Sequence, residues 1–170
     1  MIENVQKYNF TQERSDYLTP PELLDEIFQE LNLLGIYNGE LFDCDVCCSQ
    51  KNVPAVHHFI DGETDGLNQN WYGLNYCNPP YKTCDKWVKK AYQEWESGKS
   101  SVLLIPARTE TKYWQEYILD CGYASKPNIH VRFLRKGYSI INPEDNSRMG
   151  VFKNALAIVI FDASNKQKKA

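Results

Sequence analysis

The tetrapeptide Asn78-Pro79-Pro80-Tyr81 places a carboxamide, a carbonyl that precedes an imino nitrogen, and an aromatic ring within one turn of chain. Pro79 and Pro80 remove two backbone N–H donors and hold the segment extended, so it can neither continue a sheet ladder nor start a helix. An amine attached to a flat ring suits this set. The Asn78 side-chain oxygen and the Pro79 carbonyl accept its two hydrogens, and the Tyr81 ring lies on the ring plane. The same four residues also suit an ordinary Pro-Pro turn between a strand and a helix. The flanking chain decides between the two.

That flanking chain reads as alternating helices and strands. Thr19-Pro20-Pro21-Glu22 predicts a helix start, with Thr19 as N-cap, Pro20 at the first helical position and Glu22 closing a capping box. Leu23, Leu24, Ile27, Phe28, Leu31 and Leu34 follow at helical spacing, and Gly35 ends the element. Residues 40–48 turn from loose alternation to an apolar run, as a central parallel strand would, and Val56 to Ile60 is a second strand. The run from Trp71 to Cys77 is a third strand, leading into Asn78. A helix follows from about Asp85 to Ser97, with Trp87, Val88, Ala91, Tyr92 and Trp95 inward and Gly98 as stop. Ser101 to Ile105 is a buried strand halted by Pro106. Thr109 is placed to cap a helix whose inward set is Trp114, Tyr117, Ile118 and Cys121, closed by Gly122. Ile129 to Leu134 and Ala155 to Phe161 are late strands, with Tyr138 to Ile141 extending a hairpin-like region between them. The pattern predicts an α/β fold, a mostly parallel, doubly wound sheet with an antiparallel edge strand. No linker or repeat divides the chain, so residues 1–170 read as one domain with an N-terminal arm over 1–15 and a polar tail over 163–170.

Composition excludes several classes of function. The chain has 170 residues, 42% of them hydrophobic and 24% charged, as expected of a folded domain rather than a disordered segment. No apolar run approaches the roughly 20 residues that span a bilayer. The first residues are polar and lack a signal-peptide core, so the protein reads as cytoplasmic with no membrane partner. In that compartment its six cysteines are expected to be thiols. Cys44, Cys47 and Cys48, with Cys77, Cys84, His57 and His58, invite a zinc reading. A second compact ligand pair is missing, however, and buried thiols acting as small hydrophobes account better for them, so no metal is assigned. A net charge of −3 argues against broad non-specific binding to nucleic acid, while leaving room for a local basic face.

In open α/β sheets ligands bind outside the carboxyl ends of strands, near the switch in strand order. Asp43 and Asp45 lie in and at the end of the first strand. Asp65 follows the second, Asn78 to Tyr81 the third, and Arg108 the fourth. No G-x-G-x-x-G and no P-loop is present, which disfavours dinucleotides and ATP. A cationic sulfonium and amine, by contrast, need carboxylates and backbone carbonyls.

From about Tyr17 to Phe161 the chain resembles the small phage-type DNA N6-adenine methyltransferases, relatives of the Dam group. The matching stretches are Asp16 to Leu23, Phe42 to Ser49, Asp65-Gly66-Leu67 with Trp71, Cys77 to Tyr81, Leu104 to Thr111 and Val131 to Gly137, in that order. The resemblance implies a single-domain Rossmann-like fold, S-adenosylmethionine as methyl donor, and the adenine amine of double-stranded DNA, flipped from the duplex, as acceptor. Asn78 and Pro79 would then hold the amine, Pro80 would stiffen the grip, and Tyr81 would stack on the base. Asp43, Asp45, Cys47 and Ser49 fall in the family's first cofactor motif, Asp65 in its third, and Thr19 and Pro20 in the segment that closes over the methionine end. Cys47-Cys48-Ser49-Gln50 stands where larger methyltransferases carry glycines.

Lys82, Lys86, Arg108, Lys112, Arg132, Arg135 and Lys136 are candidates for a phosphate-facing surface. With little room for a separate recognition domain, specificity is expected from loops such as 82–85 and 138–153, or from a second copy or a phage partner protein. The same tetrapeptide would equally grip a glutamine amide of a protein or an RNA base, and a non-catalytic DNA-binding relative would keep the fold.

Overall fold

A computed structural model describes residues 17–152 and 154–167. The arm over 1–15 and the last residues of the tail, 168–170, lie outside the described residues. The elements in order are α1 (Pro21–Leu33), β1 (Phe42–Cys48), β2 (Ala55–Ile60), β3 (Leu74–Cys77), α2 (Cys84–Glu96), β4 (Ser100–Pro106), β5 (Leu119–Asp120), β6 (Ala124–Ser125), β7 (Ile129–Phe133), β8 (Ser139–Ile141), β9 (Arg148–Val151), β10 (Leu156–Phe161) and α3 (Ser164–Gln167). Six strands form one sheet in the order β2-β1-β3-β4-β10-β7, and β5–β6 and β8–β9 form two small antiparallel pairs.

In the sheet, β2, β1, β3 and β4 pair in parallel, and both pairings of β10 are antiparallel. The strand that runs against the others is therefore β10, one place in from the edge and not the edge strand expected, while β7 at the edge runs in the same sense as β4. The chain leaves β1 toward β2 on one side and returns through β3 on the other. The switch in strand order thus falls between β1 and β3, and the tetrapeptide leaves β3 at that point.

Two apolar layers hold the sheet. Leu23, Ile27 and Leu31 of α1 pack with Val102, Leu104, Ile158 and Ile160 on one face. Trp87, Val88 and Ala91 of α2 pack with Leu103, Ile105, Ala157 and Val159 on the other. The alternation along β4 and β10 follows from the period of two in a strand. Each fully buried Leu or Ile contributes roughly 1.5–3 kcal/mol.

Several elements differ from their sequence expectations. Thr19 does not cap α1. Pro20 occupies the N-cap with no side-chain hydrogen bond, Pro21 takes the first helical position, and Glu22 pairs with Arg148 at 2.6 Å instead of closing a capping box. Gly35, at φ +68°, ends that helix by donating to the Asn32 carbonyl. The third strand is shorter than Trp71–Cys77, because Tyr72 N–H is taken by the Asn75 side chain and the Trp71 indole turns in to donate to the Gly66 carbonyl. In α2, Glu94 is buried and bridged by Lys90 and Lys99, while Tyr92 and Trp95 are only half-buried. The helix expected after Thr109 contracts to a π-helical turn, Trp114–Ile118, because Cys121 and Gly122 adopt positive φ and fold β5 onto β6. Trp114 and Ile118 are buried, Tyr117 half-buried and Cys121 exposed. Finally, the strand–helix alternation is incomplete, since β1 connects to β2 and β2 to β3 through irregular chain.

Candidate active site

Beyond Cys77 the double proline turns the chain out of the sheet. Pro80 is extended (φ −56°, ψ 124°) and leads through a 3₁₀ turn, Tyr81–Thr83, straight into α2. Asn78 is fixed from a distant part of the sequence. Its Nδ2 donates to the Tyr17 carbonyl at 2.8 Å and to Thr19 Oγ1 at 3.4 Å. A carbonyl can only accept, so the amide NH₂ must face residues 17–19 and Oδ1 must turn away from them. Among the described residues Oδ1 carries no hydrogen bond.

Asn78 lines a cavity of about 420 Å³ at the carboxyl ends of β1, β2 and β3, together with Thr19, Asp45, Cys47, Ser49 and Asp65. Pro80 also lines it. Asp45 is 2% exposed, and its Oδ1 accepts a long hydrogen bond from Cys47 N–H at 3.4 Å. Burial pushes its carboxyl up from 3.8 to about 7, with the Cys47 N–H pulling the other way. Asp61, Glu63 and Asp65 stand at the rim, and no lysine or arginine lines the cavity among the described residues. Such a cavity favours a cationic ligand and repels phosphate. Phe59 and Trp87 add aromatic surface.

Gly66 sets the closeness of the rim to the sheet. A Cβ there would lie 2.0 Å from the Val46 carbonyl oxygen, so only glycine lets residues 61–66 rest directly on β1. The Asp65 carboxylate is engaged within this loop, accepting from Leu67 N–H at 3.0 Å and Asn68 Nδ2 at 2.6 Å.

Other sequence candidates lie elsewhere. Asp43 does not line the cavity; its Oδ2 accepts Leu74 N–H at 2.7 Å and pins the start of β3. Pro20 caps α1 and Pro79 is buried, neither of them lining the cavity. Tyr81 packs half-buried against the α1-side core rather than over the cavity, and burial raises its hydroxyl pKa. Arg132 is turned to α1, where Nε meets Glu30 at 2.7 Å and Nη1 meets Glu26 at 3.3 Å. Its charge is balanced within the fold by these two carboxylates. Lys82, Lys86 and Arg108, the last just after β4, are exposed, and Lys112 pairs with Glu116 at 3.5 Å. Arg135 and Lys136 are exposed and line a second cavity of about 310 Å³ with Phe152 and Leu156. Tyr17, from the first cavity, meets Phe152, from the second, edge-on with centroids 6.1 Å apart.

Sequence reasoning missed Asp61 and Tyr76. Asp61 directly follows β2 at the carboxyl edge, a position the strand boundary alone marks. Tyr76 lies in the strand that leads into Asn78, and nothing local announces that its hydroxyl reaches Thr19.

No solved structure matches the chain. A protein of Escherichia phage T1 named DNA N-6-adenine-methyltransferase is 33% identical over 78 residues, which is 44% of this chain and 32% of that relative. The match thus spans about a third of the relative's length. The family model described as DNA N-6-adenine-methyltransferase (Dam) matches residues 8–169. With the model running through both the tetrapeptide and the acidic cavity, the chain belongs to the Dam DNA N-6-adenine-methyltransferase family.

Proposed function

We propose that this protein, as one Rossmann-like domain acting in the cytoplasm, transfers a methyl group from S-adenosylmethionine to the N6 amine of adenine in DNA. The observation that carries the reading is Asn78. Its carboxamide stands at the strand-order switch with NH₂ tied to Tyr17 and, among the described residues, Oδ1 left open, beside a cavity whose described charged residues are all acidic.

The cavity suits the cofactor in size and in charge. Small-molecule sites run from about 300 to 1,000 Å³, and this one is about 420 Å³. S-adenosylmethionine, when bound, supplies a methyl group made electrophilic by a positively charged sulfur. Asp45 would stand against positive charge as a carboxylate, and Asp61 would accept from sugar hydroxyls at the end of β2. Ser49 and Thr19 add hydroxyls, and Phe59 and Trp87 offer flat apolar surface.

The Asn78 oxygen and the Pro79 carbonyl would accept the two hydrogens of the adenine amine. Both acceptors gain as the nitrogen becomes tetrahedral and its hydrogens more positive, so the interaction strengthens toward the transition state. Direct attack needs no covalent enzyme intermediate, and positioning and exclusion of water would do most of the rest. Arg135, Lys136 and Lys82 would meet DNA phosphates outside the acidic cavity.

Incubation with tritiated S-adenosylmethionine and DNA, RNA or protein tests this directly. Label is expected in DNA as N6-methyladenine and absent from an Asn78→Ala variant that still binds cofactor. Label in protein or RNA alone would refute it.

A further inference from the structure

We propose that Tyr76 and Thr19 are positioning residues that fix which face of the Asn78 carboxamide meets the substrate; the inference rests on Asn78 gripping the amine. Tyr76 is 0% exposed and Thr19 is 1% exposed. A buried phenol hydroxyl requires a partner, and here it is Thr19 Oγ1 at 2.7 Å. The Thr19 hydroxyl is available for this because α1 begins at Pro21 and draws no side-chain cap from it.

A threonine hydroxyl has one hydrogen and two lone pairs. Whichever of the two hydroxyls donates in the Tyr76–Thr19 pair, Thr19 Oγ1 keeps a lone pair for Asn78 Nδ2, 3.4 Å away. Together with the Tyr17 carbonyl at 2.8 Å, Asn78 Nδ2 therefore faces two acceptors on one short strap. The strap is itself held. Asn52 Nδ2 donates to the Thr19 carbonyl at 3.0 Å, and Leu18 N–H donates to the Ile141 carbonyl of β8 at 3.2 Å.

The physical consequence concerns amide flipping. A carboxamide rotated by half a turn would present NH₂ to the incoming amine, donor against donor, and the grip would be lost. Two acceptors behind the amide exclude that orientation. Where Thr19 donates to Tyr76, its one hydrogen is held away from Asn78; without the Tyr76 hydroxyl the Thr19 rotor is free to turn that hydrogen toward Asn78 and weaken the lock. Tyr76 thus acts through Thr19 on Asn78 without touching the amine.

The test is single-turnover methyl transfer at saturating cofactor and DNA. Tyr76→Phe and Thr19→Val should each slow the step about three- to tenfold, the range expected for one hydrogen bond. Thr19→Ser should restore most of the rate, and the double variant should be no slower than the slower single one, since both act through one contact. Cofactor and DNA dissociation constants of Tyr76→Phe should stay within about twofold of the parent, the split expected when only the transition state is affected. In ¹⁵N spectra the Asn78 side-chain amide should shift and broaden in Tyr76→Phe. If Thr19→Val does not fold, Tyr76→Phe, which keeps the buried ring, still decides. An unchanged rate in Tyr76→Phe, or a loss explained wholly by weaker cofactor binding, overturns the inference. A fully active Asn78→Ala would instead overturn the reading of Asn78 itself.

Discussion

Asp45 offers the sharpest quantitative test, because a carboxylate buried beside no cation should make the ligand-free protein more stable as the solution becomes more acidic. Its carboxyl stands at about 7 instead of 3.8, with burial as the cause. A group whose folded-state pKa lies above its unfolded value binds its proton more tightly when folded. Ionised Asp45 therefore destabilises the fold above pH 7, and this penalty fades as the pH falls from about 7 to about 4. At 1.36 kcal/mol per pH unit, the interval from 3.8 to about 7 corresponds to about 4 kcal/mol in full. Between about pH 8.5 and about pH 5.5 roughly 2 kcal/mol of that should be recovered. Glu22, lowered by its hydrogen bond to Arg148, acts with the opposite sign. Glu94, where Lys90 and Lys99 outweigh burial, does the same, but both lose their contribution only at pH values below the ordinary 4.5. Urea unfolding of the parent and of Asp45→Asn at the two pH values isolates the effect. Asp45→Asn should be the more stable at high pH, and its advantage should shrink by about 2 kcal/mol at low pH. The bound state supplies a second arm. If a cationic ligand needs the carboxylate, its affinity for the parent should fall about tenfold per pH unit below 7, and Asp45→Asn should show a flatter profile. A difference between the two proteins that is the same at both pH values would refute the account of Asp45.

Other perturbations separate the site from its scaffold. Gly66→Ala drives a methyl group onto the Val46 carbonyl; the fold should lose about 1–3 kcal/mol in urea titrations, with cofactor binding weakened in calorimetry. Arg132→Ala leaves Glu26 and Glu30 without their cation; thermal unfolding should show a loss of about 1 kcal/mol or more, while DNA affinity and its salt dependence stay as they were. Arg135→Ala and Lys136→Ala should do the reverse, leaving stability within about 0.5 kcal/mol and each lowering the salt slope of DNA binding by about one. Asn78→Asp sets a carboxylate oxygen against the Tyr17 carbonyl, which has nothing to donate; methyl transfer should fail at high pH and recover in part at lower pH, where a protonated Asp can donate to Tyr17 while its other oxygen still accepts.

Much of the sheet was legible because strand and helix periods are local. The apolar runs at β4 and β10 and the stripe of α1 announce buried elements, and the buried residues match the expected sets except at their ends, where Leu34 falls beyond α1 and Ala155 before β10, both exposed. Illegible were places where a side chain from afar replaced a backbone partner. The start of β3 is one, since Asp43 and Asn75 take N–H groups that a longer strand would have paired. The start of α1 is another. The sequence around Thr19 carries every local sign of an N-cap, yet the hydroxyl is drawn to Tyr76, which lies 57 residues on. Arg132 looked like a phosphate contact because its partners, Glu26 and Glu30, are more than a hundred residues away in the chain.

The candidate site divides along the same line. Residue types with chemistry to offer were visible, because Asp45 lies in β1 and Asn78 follows β3, the two strands at the switch in strand order, and that edge follows from the alternation of elements. Their states were not visible. Asp45 departs from an ordinary aspartate only because the chain encloses it without a cation. Asn78 is an acceptor toward the substrate only because the Tyr17 carbonyl, 61 residues back, claims its donor. An amide is symmetric enough in shape that sequence cannot say which end faces out; only a partner restricted to one hydrogen-bonding role can, and a backbone carbonyl is such a partner whatever side chain position 17 carries. Substitutions at Tyr17 that preserve the backbone should therefore matter less to the grip than any change that shifts the strap, which puts the control of Asn78 in Thr19, Asn52 and Ile141 rather than in the ring that names the residue.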